Sequence, residues 1–315
     1  MIGRTWLVLL GALLAAGSVP AYAAEYPLAP GQAAIGAAAE RVTQAQDTLL
    51  DIAREYDLGY VQLVAANPGI DPWLPGAGKH VVIPSFYLLP DTPRTGIVIN
   101  LAERRVFYFP AGGGQVVTYP AGVGTGEGMT PRGATRVVAK EAAPIWVPPP
   151  SIRAENPALP QSVGPGPDNP LGAFALRLGW PRYLIHGTNK PDSVGRNVSH
   201  GCLHLYPEDI AALFARVPVG TPVRVIDQPV EAAWIGDRLL VEVHASKSQA
   251  DDIDNGRPMK PAMPTDLLLL VARLAAERDA AVDWTAVRRA GLARNGLPTA
   301  VARAAPPDRV ASGEN

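Results

Sequence analysis

The sequence predicts a mainly β domain, a sandwich or barrel with a few short helices. A small α/β module precedes it and a partly helical extension follows. Three observations carry this expectation. From Thr95 onward the chain falls into short runs rich in Val, Ile, Phe and Tyr, separated by Gly/Pro turns, the pattern of a β sandwich or barrel. Between Arg41 and Pro84 the pattern is instead strand, helix, helix, strand. Beyond Ala262 helical spacing returns.

The 315-residue chain opens with Arg4, an apolar run from Trp6 to Ala16, and the A-x-A tripeptide Ala21-Tyr22-Ala23. That is the grammar of a secretory signal peptide over residues 1–23. The run is too short to span a bilayer comfortably, so cleavage and a soluble, exported, periplasmic protein are expected. The later apolar stretch "LLLLVARLAAERDAA" is broken by Arg273, Glu277 and Arg278. A net charge of −1 offers no basic field for nucleic acid. Residues 24–40, rich in Ala, Gly and Pro, are expected to be a linker.

The module follows over residues 41–86. Asp47 and Thr48 suit a helix N-cap, and Leu49, Ile52 and Ala53 recur at helical spacing. Leu63, Val64 and Ala65 open a second helix, "ANPGIDP" breaks it, and "HVVIP" closes as a strand. Asp51, Glu55 and Asp57 are expected on a solvated helix face. The stretch "DTLLDIAREYDLGYVQLVAANPGIDPWLPGAGKHVVIP" resembles a LysM module, which implies binding to N-acetylated glycan strands. The family usually carries a glycine ahead of the aspartate, and Ala45 stands there in this chain.

In the main domain, "RTGIVIN" and "RRVFYFP" predict a hairpin turned at "LAE". "GQVVTYPAGVG", "TRVVAKEAA", "TPVRVID" and "RLLVEVHAS" add strands, and Tyr206–Val217 is an amphipathic helix with Pro207 in its first turn. The extension, residues 228–315, holds two helical stretches, "TDLLLLVARLAAERDA" and "DWTAVRRAGLARNG". It ends in "AAPPDRVASGEN", expected to be disordered.

One cysteine, Cys202, sits in "SHGCLHL" between His200 and His204. A lone cysteine in an exported protein points to an intermolecular disulfide or a reactive thiol. The thiolate is the nucleophile, so the site needs a base, a positive charge or a helix N-terminus nearby. His186 is sixteen residues upstream in "LIHGT", and the Gly/Pro/Asn-rich loop after it can fold back. Local geometry does not choose among His186, His200 and His204 as the base. Gly201 lets the backbone approach a substrate closely, and N–H groups around Gly201 and Cys202 could form an oxyanion hole. Zinc held by His186, His200, Cys202 and His204 is disfavoured, because H-x-C-x-H lacks familiar ligand spacing. His80 and His244 are expected at surface or half-buried positions, and Trp146 and Trp180 in the core.

The segment "IHGTNKPDSVGRNVSHGCLHL" resembles the active-site signature of the L,D-transpeptidases, the YkuD-type domain of bacterial cell-wall enzymes. "GIVINLAERRVFYFP", "TPRGATRVVAKEAAPIWVPPPSIRAENPALP" and "NPLGAFALRLGWPRYLIHGT" extend the likeness over residues 95–227, to the ErfK/YbiS-like branch with an N-terminal LysM module. The resemblance implies a YkuD-like β fold with Cys202 as nucleophile, His186 as proton acceptor and donor, and the Gly187 carbonyl orienting His186. It implies support or oxyanion roles for Ser199, His200 and Gly201, and substrate contacts for Tyr183, Thr188 and His204. Many relatives carry Arg or Asn where this chain has His204, which puts substrate preference in doubt. For His204 and Tyr183 a packing role is the alternative.

The expected reaction is acyl transfer from a peptidoglycan stem tetrapeptide through a thioester, with no cofactor and no metal. The expected partners are stem peptides and glycan strands. The acceptor is a second stem peptide (a 3→3 crosslink), the lysine of an outer-membrane lipoprotein, or water, which would make a carboxypeptidase or hydrolase. A non-catalytic wall-binding protein is the remaining alternative.

Overall fold

The structure is a computed structural model that describes residues 24–124, 129–199 and 201–305. The predicted signal peptide and the predicted disordered last residues, from 306 on, lie outside the described residues. The N-terminal part runs β1 (Ala24–Pro27), β2 (Ala34–Gly36), β3 (Ala39–Val42), α1 (Leu49–Glu55), α2 (Tyr60–Ala66), β4 (His80–Ile83) and β5 (Phe86–Leu88). Next come β6 (Gly96–Asn100), β7 (Arg105–Phe109), β8 (Gln115–Pro120), β9 (Val123–Gly124), β10 (Gly133–Ala142) and α3 (Pro150–Glu155). The middle part continues with β11 (Phe174–Leu178), β12 (Leu184–His186), β13 (Asn197–Ser199), β14 (Leu203–His204), α4 (Pro207–Arg216) and β15 (Pro222–Ile226). The last part holds β16 (Val230–Ile235), β17 (Arg238–Val243), α5 (Lys247–Asp254), α6 (Leu267–Ala276), β18 (Ala281–Val282), α7 (Trp284–Ala293) and β19 (Thr299–Arg303).

The mainly β expectation holds. A nine-stranded sheet runs in the order β1-β8-β7-β6-β15-β10-β11-β12-β14. β10 turns its corner. Its first half pairs β15, its second half pairs β11, and a register shift lies between Val137 and Ala139. An extra residue in one strand bends it and adds twist, so the sheet curls and its last strands come to face α4. Ile97, Ile99, Val106, Val117, Ile185, Leu203, Ile210 and Leu213 fill the space between them. The predicted hairpin at "LAE" is β6–β7, antiparallel from Gly96 opposite Phe109 to Asn100 opposite Arg105.

The N-terminal module has the predicted strand-helix-helix-strand order, with β3 and β4 antiparallel. Thr48 caps α1 by accepting the Asp51 N–H. The module packs on the back of the large sheet. Leu49, Ile52, Leu63, Val81 and Ile83 meet Val98, Phe107, Phe109 and Val116. Alternation along β6 to β8 therefore sends one set of side chains into each of two cores, and all five residues of β6 and of β7 are buried.

Two expectations need correction. Residues 24–40 are not a featureless linker. β1 pairs with β8 as the edge of the large sheet, and β2 pairs with β5. Unsatisfied backbone N–H and C=O groups at a sheet edge favour such an added strand. Asp57 is not on a solvated face. It is 6 % exposed, its φ is +54°, and it is covered by β1 and α4. The extension is more than helical. β16, β17, β19 and β18 form a four-stranded sheet, against which α6 and α7 bury Leu267, Val271, Val287 and Ala290. α5 returns to the N-terminal module, where Ala250 and Ile253 meet Leu50, Tyr60 and Val61.

Candidate active site

The site is built on the last two strands of the curled sheet. β12 and β14 are parallel neighbours, with Ile185 opposite Leu203 and His186 opposite His204. Ile185 and Leu203 point into the core. Side chains alternate across a strand, so His186, His204 and Cys202, one residue ahead of β14, belong to the other face. The order His186, loop, Cys202 thus becomes two adjacent positions in space.

His186 is 8 % exposed, and its Nδ1 lies 2.5 Å from the Gly187 carbonyl. A carbonyl only accepts, so Nδ1 carries the proton and the Nε2 lone pair is left as the base. Burial first, and then the His204 ring at 6.2 Å between centroids, push the imidazole down to about 3, against the pull of the Gly187 hydrogen bond. Burial therefore favours the neutral imidazole of His186 near neutral pH. Cys202 is partly buried, and its Sγ donates to the Arg182 carbonyl at 3.4 Å. Burial pushes the thiol up, while the Leu184 N–H and the Arg177 guanidinium pull it down. Burial thus favours the uncharged form of each group.

Around the cysteine, Gly201 is joined by two residues not expected there, Thr130 and Asn169. Gly201 has φ +110°, and its carbonyl accepts a hydrogen bond from Thr130 Oγ1 at 2.8 Å. Thr130 is 3 % exposed and opens the quoted "TPRG". A buried threonine ahead of Pro and Gly was the available signal. Asn169 in "NPLG" is fully buried. It donates to the carbonyls of Pro144 and Gly164 and accepts the Leu171 N–H. It thereby folds the long loop after β10 toward Gly172 and Thr188.

The other predicted residues separate. Ser199 ends β13, whose backbone pairs with β9. The Ser199 side chain and all of His200 lie outside the described residues. Thr188 is buried, accepts the Lys190 N–H, and lines a groove of roughly 670 Å³ with Gly166, Asn169, Phe174, Asn189 and Pro207. Tyr183 packs edge-on against Trp180, and its hydroxyl donates to the Met129 carbonyl at 3.3 Å. His204 is 4 % exposed. Its Nε2 lies 2.9 Å from Ser193 Oγ, and its ring rests on Gly122, so it presents no open face to a substrate.

That contact yields a prediction. A Cβ at Gly122 would stand 2.0 Å from the His204 ring. Gly122→Ala should therefore displace the ring beside His186, cost about 1–3 kcal/mol of stability and lower turnover at least tenfold. His204→Asn in the same chain should recover most of both. Thermal melting and steady-state rates measure these effects, and unchanged rates in Gly122→Ala would show that the ring position does not matter.

Comparison with known proteins agrees with this geometry. The family model YkuD, the L,D-transpeptidase catalytic domain, matches residues 94–225. Probable L,D-transpeptidase YcfS of Escherichia coli K12 is 42% identical over 248 residues, which cover 75% of this chain and 78% of that protein. Probable L,D-transpeptidase YbiS of the same strain is 40% identical over 252 residues, 78% of this chain and 80% of that protein. Probable L,D-transpeptidase ErfK/SrfK of Salmonella typhimurium is 40% identical over 254 residues, 77% of this chain and 82% of that protein. With a cysteine and a carbonyl-oriented histidine on neighbouring strands, and likeness at this level over three quarters of its length, the chain belongs to the L,D-transpeptidase family.

Proposed function

We propose that this protein is a periplasmic, cysteine-dependent L,D-transpeptidase of peptidoglycan. The observation that carries the reading is the Nδ1–H of His186 held on the Gly187 carbonyl, which leaves Nε2 basic beside the Cys202 strand. Cys202 Sγ attacks the carbonyl of the L-centre of the third residue in a stem tetrapeptide, and His186 Nε2 takes the thiol proton. Backbone N–H groups near Gly201 and Cys202 stabilise the oxyanion. The C–N bond breaks, D-alanine leaves with the proton from His186, and a thioester remains. An amine then attacks the thioester and gives its proton to His186. The C–S bond breaks, the new amide forms, and the proton returns to sulfur. A lipoprotein lysine is the favoured acceptor and a second stem peptide the alternative. Incubation with sacculi or a disaccharide tetrapeptide, with and without a lysine-ended acceptor peptide, followed by mass spectrometry, tests the transfer. Amide-linked products are expected, and products formed by water alone would overturn it.

The N-terminal module is proposed to be a LysM unit that holds glycan strands. Its strand-helix-helix-strand order with β3 and β4 paired supports that reading.

Export and cleavage after Ala23 have their own support. The Ala24 nitrogen lies 3.0 Å from Asp57 Oδ2. Asp57 and the neighbouring Asp209 are buried together, and burial pushes Asp57 up to about 6. A new α-ammonium on Ala24 would neutralise this pair of acids. Chains beginning at Ala24 should melt about 2–4 °C higher at pH 7 than chains with extra residues ahead of it. The pair needs an ionised carboxylate, so the gain should vanish as pH falls to about 4. Equal melting at pH 7 would contradict this account of the mature end.

A further inference from the structure

Glu103, Glu231, Glu242 and His244 meet where the three parts of the chain join. Glu103 lies in the turn between β6 and β7, Glu231 on β16, Glu242 near the end of β17, and His244 one residue past it. None is more than 5% exposed, which corrects the surface or half-buried position expected for His244. One ligand atom each from Glu103, Glu242 and His244 fall within 4.8 Å of one another. His244 Nε2 is 3.0 Å from Glu231 Oε2 and 3.4 Å from Glu242 Oε1.

The orientation of these groups is more telling than their closeness. Each carboxylate has one oxygen held by the protein. Glu231 Oε1 accepts from Asn100 Nδ2 at 2.6 Å, Glu103 Oε2 from the same nitrogen at 3.4 Å, and Glu242 Oε2 from the Leu88 N–H at 2.7 Å. The other oxygen of each, and His244 Nε2, make no hydrogen bond among the described residues. The imidazole nitrogen is near two carboxylate oxygens yet aligned with neither as a donor. Two donor atoms on one tetrahedral ion, each about 2.0–2.1 Å from it, lie about 3.3 Å apart without pointing at each other. The 3.4 Å between His244 Nε2 and Glu242 Oε1 matches that value.

Charge argues the same way. Three buried carboxylates lie near Arg105, 3.9 Å from Glu103, with the buried Arg104 also close to His244. Buried charge on this scale must be neutralised by protons or by an ion. An ion here would use the unpartnered atoms Glu103 Oε1, Glu242 Oε1 and His244 Nε2. Asn100 and Leu88 are then the outer groups that fix ligand orientation.

We propose that Glu103, Glu242 and His244 bind one divalent first-row transition ion, zinc or manganese, which clips the C-terminal sheet and the N-terminal module to the catalytic sheet. An imidazole suits zinc and carboxylates suit manganese, so both are within the chemistry of the set. The site is distinct from Cys202, and its role is structural. Three ligands come from the protein, and Glu231 lies beside them, 3.0 Å from the His244 nitrogen.

The test is a titration of the full mature chain, stripped of metal with a chelator, in a Cys202→Ser background that removes the thiol. Zinc and manganese are added separately and binding is followed by calorimetry. One equivalent of at least one ion should bind with micromolar or tighter affinity. At 100-fold excess over Kd the melting temperature should rise by roughly 5–10 °C. Affinity should increase from pH 6 to pH 8, because the ligands must lose protons. Glu242→Gln and His244→Gln should each weaken binding by about 100-fold or more. These variants are at buried sites, so circular dichroism must show that they fold. If they do not, cobalt substitution of the Cys202→Ser chain decides, with tetrahedral or octahedral d–d bands expected. No saturable binding below 1 mM by either ion would overturn the proposal, as would binding that survives Glu242→Gln but is lost in His186→Ala. A proton-filled cluster would then be the correct description.

Discussion

His186→Ala should lower kcat/KM for the tetrapeptide donor by roughly 10²–10⁴-fold, the usual contribution of a positioned general base. The wild-type pH profile should show why. A histidine at its ordinary value would give a limb near pH 6.5. Here burial and His204 push His186 down to about 3, so the base stays neutral and competent as pH falls from 8 to 5. Burial moves the thiol the other way, above its ordinary value. The expected kcat/KM is flat between pH 5 and 8. Alkylation of Cys202 by iodoacetamide should climb through pH 9 without a step near neutrality. A step near pH 6.5 in either measurement would mean that an ion pair forms at rest, and the neutral-pair account would be wrong. The same shift sets a stability trend. Between pH 6.5 and the folded value the unfolded chain binds the extra proton on this histidine, so its contribution weakens as pH falls through that window.

Arg105→Leu should cost about 3–5 kcal/mol, the loss typical when one member of a buried charge network is removed. Arg105 has no exposed surface and joins two parts of the fold. Its guanidinium donates to Thr118 Oγ1 at 2.9 Å within the large sheet, and to Gln62 Oε1 at 2.9 Å and the Asp57 carbonyl at 3.1 Å in the N-terminal module. It also stacks 4.3 Å over the Tyr87 ring and faces Glu103. Leucine would leave those acceptors buried and unmet, and would remove the cation nearest the Glu103 cluster. The melting temperature should fall by about 10 °C or more. Arg105→Lys should recover little, because an ammonium cannot reproduce a flat fork with several fixed donors. A drop under 2 °C for Arg105→Leu would mean that the module is held to the sheet by apolar packing alone.

Much of the site was legible because its chemistry is local in sequence. His186 and Cys202 lie sixteen residues apart, and the loop between them is rich in turn formers. The hairpin at "LAE", the helix after Cys202 and the strand-helix-helix-strand module also depend on near neighbours. What escaped depends on partners far along the chain. Ala24–Pro27 is a weak strand by composition and forms one only because Gln115–Thr118 offers an open edge. The runs in β6 and β7 look half-buried on alternation, yet the module covers their second face. Asp57 and His244 do not look fully buried until Asp209 folds over the first and Glu103 over the second, each more than a hundred positions away. His204 looked like a substrate residue beside a nucleophile. Gly122, eighty positions upstream, makes it a packing residue.

The central claim is that Cys202 is an acylating thiol driven by His186. Intact-protein mass spectrometry of the mature enzyme with a carbapenem tests it most directly. Wild type should gain the mass of one carbapenem, Cys202→Ser should gain none, and His186→Ala should gain it at least a hundred times more slowly. No adduct on a wild-type chain whose thiol is shown to be reduced would contradict the claim, and so would an adduct that forms at the same rate without His186.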